Sequence, residues 1–163
     1  MILGITGHRP QKIGGYGENP LRAKVRDAMR QFFVRTKPSL ILSGMALGVD
    51  QWACELALSL HIPYSAYVPF AGQEELWPRD QRAFYNVLLR NAKETIFVSN
   101  PGYSVWKMQK RNERIVDDCS HLLAVFDNSD GGTANCVSYA ERVHRDITII
   151  DPRELGVEKR HDF

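Results

Sequence analysis

Six short apolar runs recur along the chain: Met1–Thr6, Leu40–Ser43, Ile62–Val68, residues 94–99, His121–Phe126 and Ile147–Ile150. Each spans four to seven residues and ends near Gly, Pro, Asn or Asp, the signature of a strand buried on both faces. Between them apolar residues return at helical spacing. Asn19-Pro20 opens a helix with Leu21, Val25, Met29 and Phe32 on one face, since Asn caps and Pro suits the first helical position. Val49, Trp52, Ala53, Leu56, Ala57 and Leu60 form a second stripe, and Phe84, Val87, Leu88 and Ala92 a third within residues 78–92. Val105, Met108, Ile115, Val116 and Cys119 form a fourth, and Val137, Ala140 and Val143 a fifth. Alternating strands and helices predict an α/β fold: one Rossmann-like, doubly wound, mainly parallel sheet flanked by helices. Ile147–Ile150 is expected to close the sheet, leaving residues 1–155 as a nucleotide-binding domain and 156–163 as a polar tail that frays.

Two of the strand-to-helix junctions are rich in glycine. The first, Ser43-Gly44-Met45-Ala46-Leu47-Gly48-Val49-Asp50, ends the second strand, and Asp127–Asn135, with Gly131-Gly132-Thr133 at its heart, ends the fifth. Such loops cradle phosphate because glycine lets backbone approach the ligand while free N–H groups and the helix dipole point at it. Gly7-His8-Arg9-Pro10 leaves the first strand, and loops at the carboxyl ends of parallel strands gather over one crevice. Arg9 is a natural phosphate partner because its fork of donors binds two oxygens at once; a structural ion pair is the plainer role. Asp50, in the first helical turn, suits either capping or a hydrogen bond to a ribose hydroxyl. Pro69-Phe70 leads into Gln73, Glu74 and Trp77, groups that suit a base or sugar, although Trp77 serves equally as a loop anchor. In the fourth helix the apolar stripe lapses at Arg111 and Asn112, which would face a ligand there.

At 163 residues, 44% hydrophobic and 25% charged, the chain suits one well-filled core. Twenty-one basic residues against 19 acidic give +2, which disfavours extended nucleic-acid binding. Met1-Ile-Leu-Gly leads straight into the first strand with no signal-like leader, and no apolar run suits a membrane span, so a cytoplasmic protein is expected. Cys54, Cys119 and Cys136 are widely spaced with no Cys-x-x-Cys pair, which reads as small buried hydrophobes rather than a disulfide framework or metal site. No metal and no cofactor are expected.

Taken as a set, Thr6-Gly7-His8-Arg9-Pro10, Ser43 to Trp52, Pro69-Phe70 with Gln73 and Trp77, and Gly131-Gly132-Thr133 resemble the YpsA-like branch of the SLOG superfamily, in forms found in phage and prophage contexts. That superfamily groups the DNA-processing protein DprA (Smf) with the LOG "lysine decarboxylase-like" phosphoribohydrolases. The resemblance implies a nucleotide or nucleotide-derived ligand held by Gly7, His8, Arg9, Ser43, Gly44, Met45, Ala46, Gly48, Asp50, Pro69, Phe70, Gln73, Trp77, Arg111, Asn112, Gly131, Gly132, Thr133 and Asn135. It also implies self-association as a dimer or higher oligomer. LOG enzymes cleave the N-glycosidic bond of nucleoside monophosphates with an arginine, which Arg111 resembles, and a glutamate just after the glycines. Here Ala134, Asn135 and Cys136 follow Thr133, so the glutamate is missing. Ligand binding as a sensor, sponge or regulatory module is therefore expected first. Glycoside hydrolysis, with Arg111 and either Asp50 or Glu74 supplying the chemistry, is second. DprA-like binding of single-stranded DNA is third.

Overall fold

The computed structural model describes residues 1–160. Strands β1 (Ile2–Gly7), β2 (Leu40–Ser43), β3 (Tyr64–Val68), β4 (Glu94–Phe97), β5 (His121–Val125), β6 (Asp146–Ile150) and β7 (Val157–Arg160) form one sheet in the order β4-β3-β2-β1-β5-β6-β7. The first six run parallel, and β7 is antiparallel to β6. Helices α1 (Pro20–Thr36), α2 (Val49–Ser59), α3 (Arg79–Asn91), α4 (Val105–Asp118) and α5 (Gly132–Arg142) supply the connections, and a 3₁₀ turn covers Pro10–Lys12. The architecture is the expected Rossmann-like α/β fold.

Strand side chains alternate between faces, and this period sorts the core into two halves. Leu3, Ile5, Ile41, Leu123 and Val125 meet Val25, Met29 and Phe33 of α1, Val49 and Trp52 of α2, and Tyr85 and Leu88 of α3. Leu42, Leu122, Ala124, Ile147 and Ile149 meet Ile115 and Val116 of α4 and Cys136, Val137 and Ala140 of α5. The chain thus winds outward from β1 to β4 with helices on one face. It then crosses on α4 to the other face and returns to β5 beside β1. The strand order reverses between β1 and β5, and a crevice opens above the carboxyl ends of strands at such a point.

Local chemistry matches the expected start of α1: Asn19 accepts the Arg22 N–H at 2.9 Å and Pro20 is the first helical residue. Three expectations are corrected. The inward pair of α3 is Tyr85 and Leu88, each 1% exposed, whereas Phe84 and Val87 are 39% and 38% exposed. Two stripes one residue apart compete on that helix, and the one carrying the large Tyr85 ring buries more surface. Val105 stands out at the start of α4 rather than in the core. Ile147–Ile150 is followed by β7, because Val157–Arg160 pairs with β6 from Ile150↔Val157 to Ile147↔Arg160. Arg160 also pairs with Glu141 of α5 at 2.6 Å. Residues 161–163 of the expected tail lie outside the described residues.

Candidate functional site

At the reversal point the loops leaving β1 and β5 are joined by hydrogen bonds. The His8 N–H donates to the Val125 carbonyl at 3.0 Å. The His8 ring nitrogen Nε2 accepts the Asp127 main-chain N–H at 3.0 Å and lies 2.9 Å from Asp127 Oδ1. Burial lowers the His8 pKa, which favours the neutral ring that this acceptor role needs. Hydrogen bonds from Ser129 hold the Asp127 carboxyl well below the ordinary range. The Lys12 ammonium reaches across to Ser129 Oγ at 2.9 Å and the Asp130 carbonyl at 3.4 Å.

Above these contacts lies a cavity of about 460 Å³, bounded by residues 6–9, Gln11, Lys12, Ala46, Asp50, Met108, Arg111, Asn112 and residues 129–133. Gly131 caps α5 with no side-chain hydrogen bond, and Gly131, Gly132 and Thr133 line this cavity, so the start of the helix, with the positive end of its dipole, borders it. Three cations, Arg9, Lys12 and Arg111, share the lining. Two carboxyl groups, Asp50 and Asp130, belong to the same lining.

Beneath the floor, Arg111 is 3% exposed. Its Nη1 donates to the Gly44 carbonyl and, at 3.5 Å, to that of Tyr67, while Nε donates to Asn112 Oδ1 at 2.8 Å. Part of the guanidinium is thereby committed to holding the loop after β2. Asp50 is 7% exposed and accepts the Ala46 N–H at 3.3 Å. Burial raises its pKa, opposed by the positive charges of Arg111 and Arg9; burial lowers the pKa of Arg111 in turn. At Asp50, burial outweighs the neighbouring guanidinium and keeps the carboxyl above its ordinary range.

A second cavity of about 270 Å³ adjoins the first, and Arg9 and Met108 line both. Its other walls are Phe70 to Gln73, Glu75, Leu76, Trp77, Gly102 and Tyr103. The Trp77 ring meets Tyr85 edge-on at 5.3 Å and 87°, so Trp77 anchors its loop while contributing a cavity wall.

Of the residues expected from sequence, Gly7, His8, Arg9, Ala46, Asp50, Arg111, Asn112, Gly131, Gly132 and Thr133 come together around the first cavity, and Phe70, Gln73 and Trp77 around the second. Ser43, Gly44, Met45 and Gly48 do not line either one. Ser43 Oγ donates to the Asp50 carbonyl at 2.8 Å and accepts the Met45 N–H at 3.2 Å, and Met45 is fully buried. The Met45 and Ala46 N–H groups of that loop thus find partners inside the protein. Pro69, Glu74 and Asn135 line neither cavity, and Asn135 lies on the exposed side of α5. Lys12, Ser129, Asp130 and Tyr103 enter the walls without having been singled out. Lys12 and Ser129 could be found only by knowing that β1 and β5 are neighbours. The three cysteines are free and buried, and burial pushes the Cys54 and Cys136 thiols up to about 12, which makes them inert hydrophobes. Among the described residues no group of three or more His, Cys, Asp or Glu side chains is placed to hold a metal, and no helix is long and apolar enough to cross a membrane.

A family model described as the YspA SLOG family (YpsA) matches residues 3–155. The SPbeta prophage-derived protein YoqJ of Bacillus subtilis is 33% identical over 147 residues, covering 78% of this chain and 86% of that protein. DNA processing protein A (DprA) of Streptococcus pneumoniae superposes with a TM-score of 0.67 at 17% identity, over 90% of this chain and 49% of that one, so the present chain spans about half the length of DprA. The molybdenum cofactor carrier protein of Chlamydomonas reinhardtii superposes with a TM-score of 0.58 at 15% identity, over 94% of this chain and 78% of that one. These two likenesses are likenesses of fold.

Proposed function

Because this chain belongs to the YspA SLOG family, we propose that it is a ligand-binding module for a nucleotide or nucleotide-derived molecule, acting as a sensor, sponge or regulatory element. The observation that carries this reading is the union of Arg9, Lys12 and Arg111 with the uncapped start of α5 around one 460 Å³ cavity at the strand-order reversal. Charge-assisted bonds from arginine and lysine and the helix N-terminus favour a phosphate, and the remaining volume suits a ribose or a second phosphate. The fold neighbour whose name gives a small-molecule cargo, the molybdenum cofactor carrier protein, is consistent with a module that holds its ligand intact.

Hydrolysis is the second reading, favoured by Asp50 and Arg111 lining the same cavity with the carboxyl pKa raised by burial. Glycoside cleavage passes through an oxocarbenium-like state that needs a carboxyl group close by. Asp50 holds that place better than Glu74, which lines neither cavity.

Native mass spectrometry of protein taken gently from cells, then incubated with nucleoside mono- and diphosphates, ADP-ribose and cyclic nucleotides, tests both readings. A ligand retained intact is the expected result. Free base appearing in proportion to protein, and abolished in Asp50→Asn, would put hydrolysis first. Failure of every phosphate-bearing compound to bind would remove both.

A further inference from the structure

Asp50 and Arg111 line the first cavity, and each is more than nine-tenths buried. The protein uses only part of their hydrogen-bonding capacity. Asp50 Oδ2 accepts the Ala46 N–H at 3.3 Å, while Oδ1 has no hydrogen-bond partner among the described residues and is not shut away from solvent. Arg111 commits Nη1 to the Gly44 and Tyr67 carbonyls and Nε to Asn112 Oδ1. Its Nη2 matches Asp50 Oδ1, accessible and without a partner among the described residues. Nη1, Cζ and Nε are the guanidinium atoms nearest to Gly44, so Nη2 is turned away from that loop. Because both side chains are otherwise enclosed, the open space that reaches them is the cavity they line.

The two groups do not complete each other. Each lies within the field of the other, yet the carboxyl and the guanidinium close no ion pair together. A buried polar group with a free edge is costly until a partner reaches it, and here one partner has to serve both. A phosphate oxygen only accepts, which suits Arg111 and which an ionised Asp50 repels; an ammonium only donates, with the reverse result. A hydroxyl donates and accepts through one oxygen and carries no charge. It suits Asp50 in either protonation state. In a nucleotide such hydroxyls belong to the sugar, the part joined directly to the phosphate. A phosphate held by Lys12 at the α5 start therefore brings its sugar, ahead of its base, into the rest of the same cavity.

Resting on the nucleotide reading of the first cavity, we propose that Asp50 and Arg111 form a sugar subsite in which a ribose 2′- or 3′-hydroxyl donates to Asp50 Oδ1 and accepts from Arg111 Nη2. The ligand class is then a nucleotide with an intact ribose diol. A nucleotide lacking the hydroxyl in question is rejected, because its binding leaves both edges desolvated and unpaired.

Calorimetric titration of the full chain with AMP, 2′-deoxy-AMP and 3′-deoxy-AMP, and with the same three forms of GMP, CMP and UMP, tests this. Loss of one of the two hydroxyls should weaken binding about tenfold or more, and it should be the same hydroxyl in every nucleotide that binds, since the contact is to the sugar. This comparison needs no variant. Asp50→Asn keeps the shape and an oxygen for the Ala46 N–H, and should shrink the gap between the ribose and deoxy forms to about twofold or less. Equal affinities for all three forms of a bound nucleotide would hand the pair to another part of the ligand, such as the lactam edge of a base, and overturn the sugar subsite. A gap undiminished in Asp50→Asn would overturn it as well, while nucleotide binding in either case kept the reading of the first cavity. Absence of binding by every compound would instead overturn the reading on which the subsite rests.

Discussion

The two glycine loops look alike in sequence and are opposites in space. In the loop after β2 the glycines serve the protein. A Cβ on Gly44 would lie 2.4–2.8 Å from atoms of the Arg111 guanidinium, and one on Gly48, at φ +95°, would lie 2.7 Å from the His8 carbonyl oxygen. In the loop after β5 a Cβ on Gly131 or Gly132 meets nothing within 4 Å. One loop is glycine-rich because buried groups approach it; the other leaves open space beside the start of a helix. The same residue type thus marks a loop packed against buried groups and a loop with open space beside a helix start, the arrangement a phosphate uses.

Substitutions should separate the two. Gly48→Ala combines a left-handed backbone with a collision against main chain that cannot swing aside, and should cost about 3 kcal/mol, read from the denaturant midpoint. Gly44→Ala should cost somewhat less, about 2 kcal/mol, because it pushes on a side chain rather than on backbone, and should loosen the hold of Arg111 on the loop. Gly132→Val should do the reverse: melting within about 0.5 kcal/mol of the parent, since surface changes away from special features rarely exceed that, with nucleotide affinity reduced about tenfold or more. A Gly132 variant that unfolds, or a Gly48 variant of undiminished stability, would break the distinction.

The uneven legibility of these loops has a physical reason. Buried parallel strands are short apolar runs, so β1, β2, β3, β5 and β6 could be read directly, as could Arg111 and Asn112 where the α4 stripe lapses; β4 arises from a similar run but lies at the sheet edge with Glu94 and Phe97 exposed rather than buried on both faces. The polar strand β7 carries no such run: Glu158 and Lys159 are exposed, and the strand is defined by its pairing with β6. Glycine records a need for space but not which neighbour needs it. That Lys12 reaches Ser129, 117 positions away, follows from β1 lying beside β5, a property of strand order rather than of either segment. The resemblance supplied the set of loops, and the topology decides which members face outward.

The smallest predicted effect concerns the residue that touches both loops. The His8 carbonyl accepts the Val49 N–H at 3.4 Å beside the closed loop, and its ring joins Asp127 in the open one. Because burial lowers the folded pKa of His8 below the ordinary value near 6.5, the unfolded chain takes up a proton first as pH falls. His8 should therefore contribute stability that is intact above about pH 6.5 and declines as pH drops through its folded pKa. Asp127 acts in a different window: its depressed pKa adds stability above about pH 4 that is lost only in stronger acid, so the two can be told apart. Thermal melts of the parent and of His8→Gln between pH 7.5 and 5 measure the histidine part. The parent should lose stability over that range by less than either closed-loop glycine change costs, and the variant should show a flatter profile. Since the substitution leaves the His8 carbonyl in place, a flat profile would assign the pH response to the ring and to the open loop it holds.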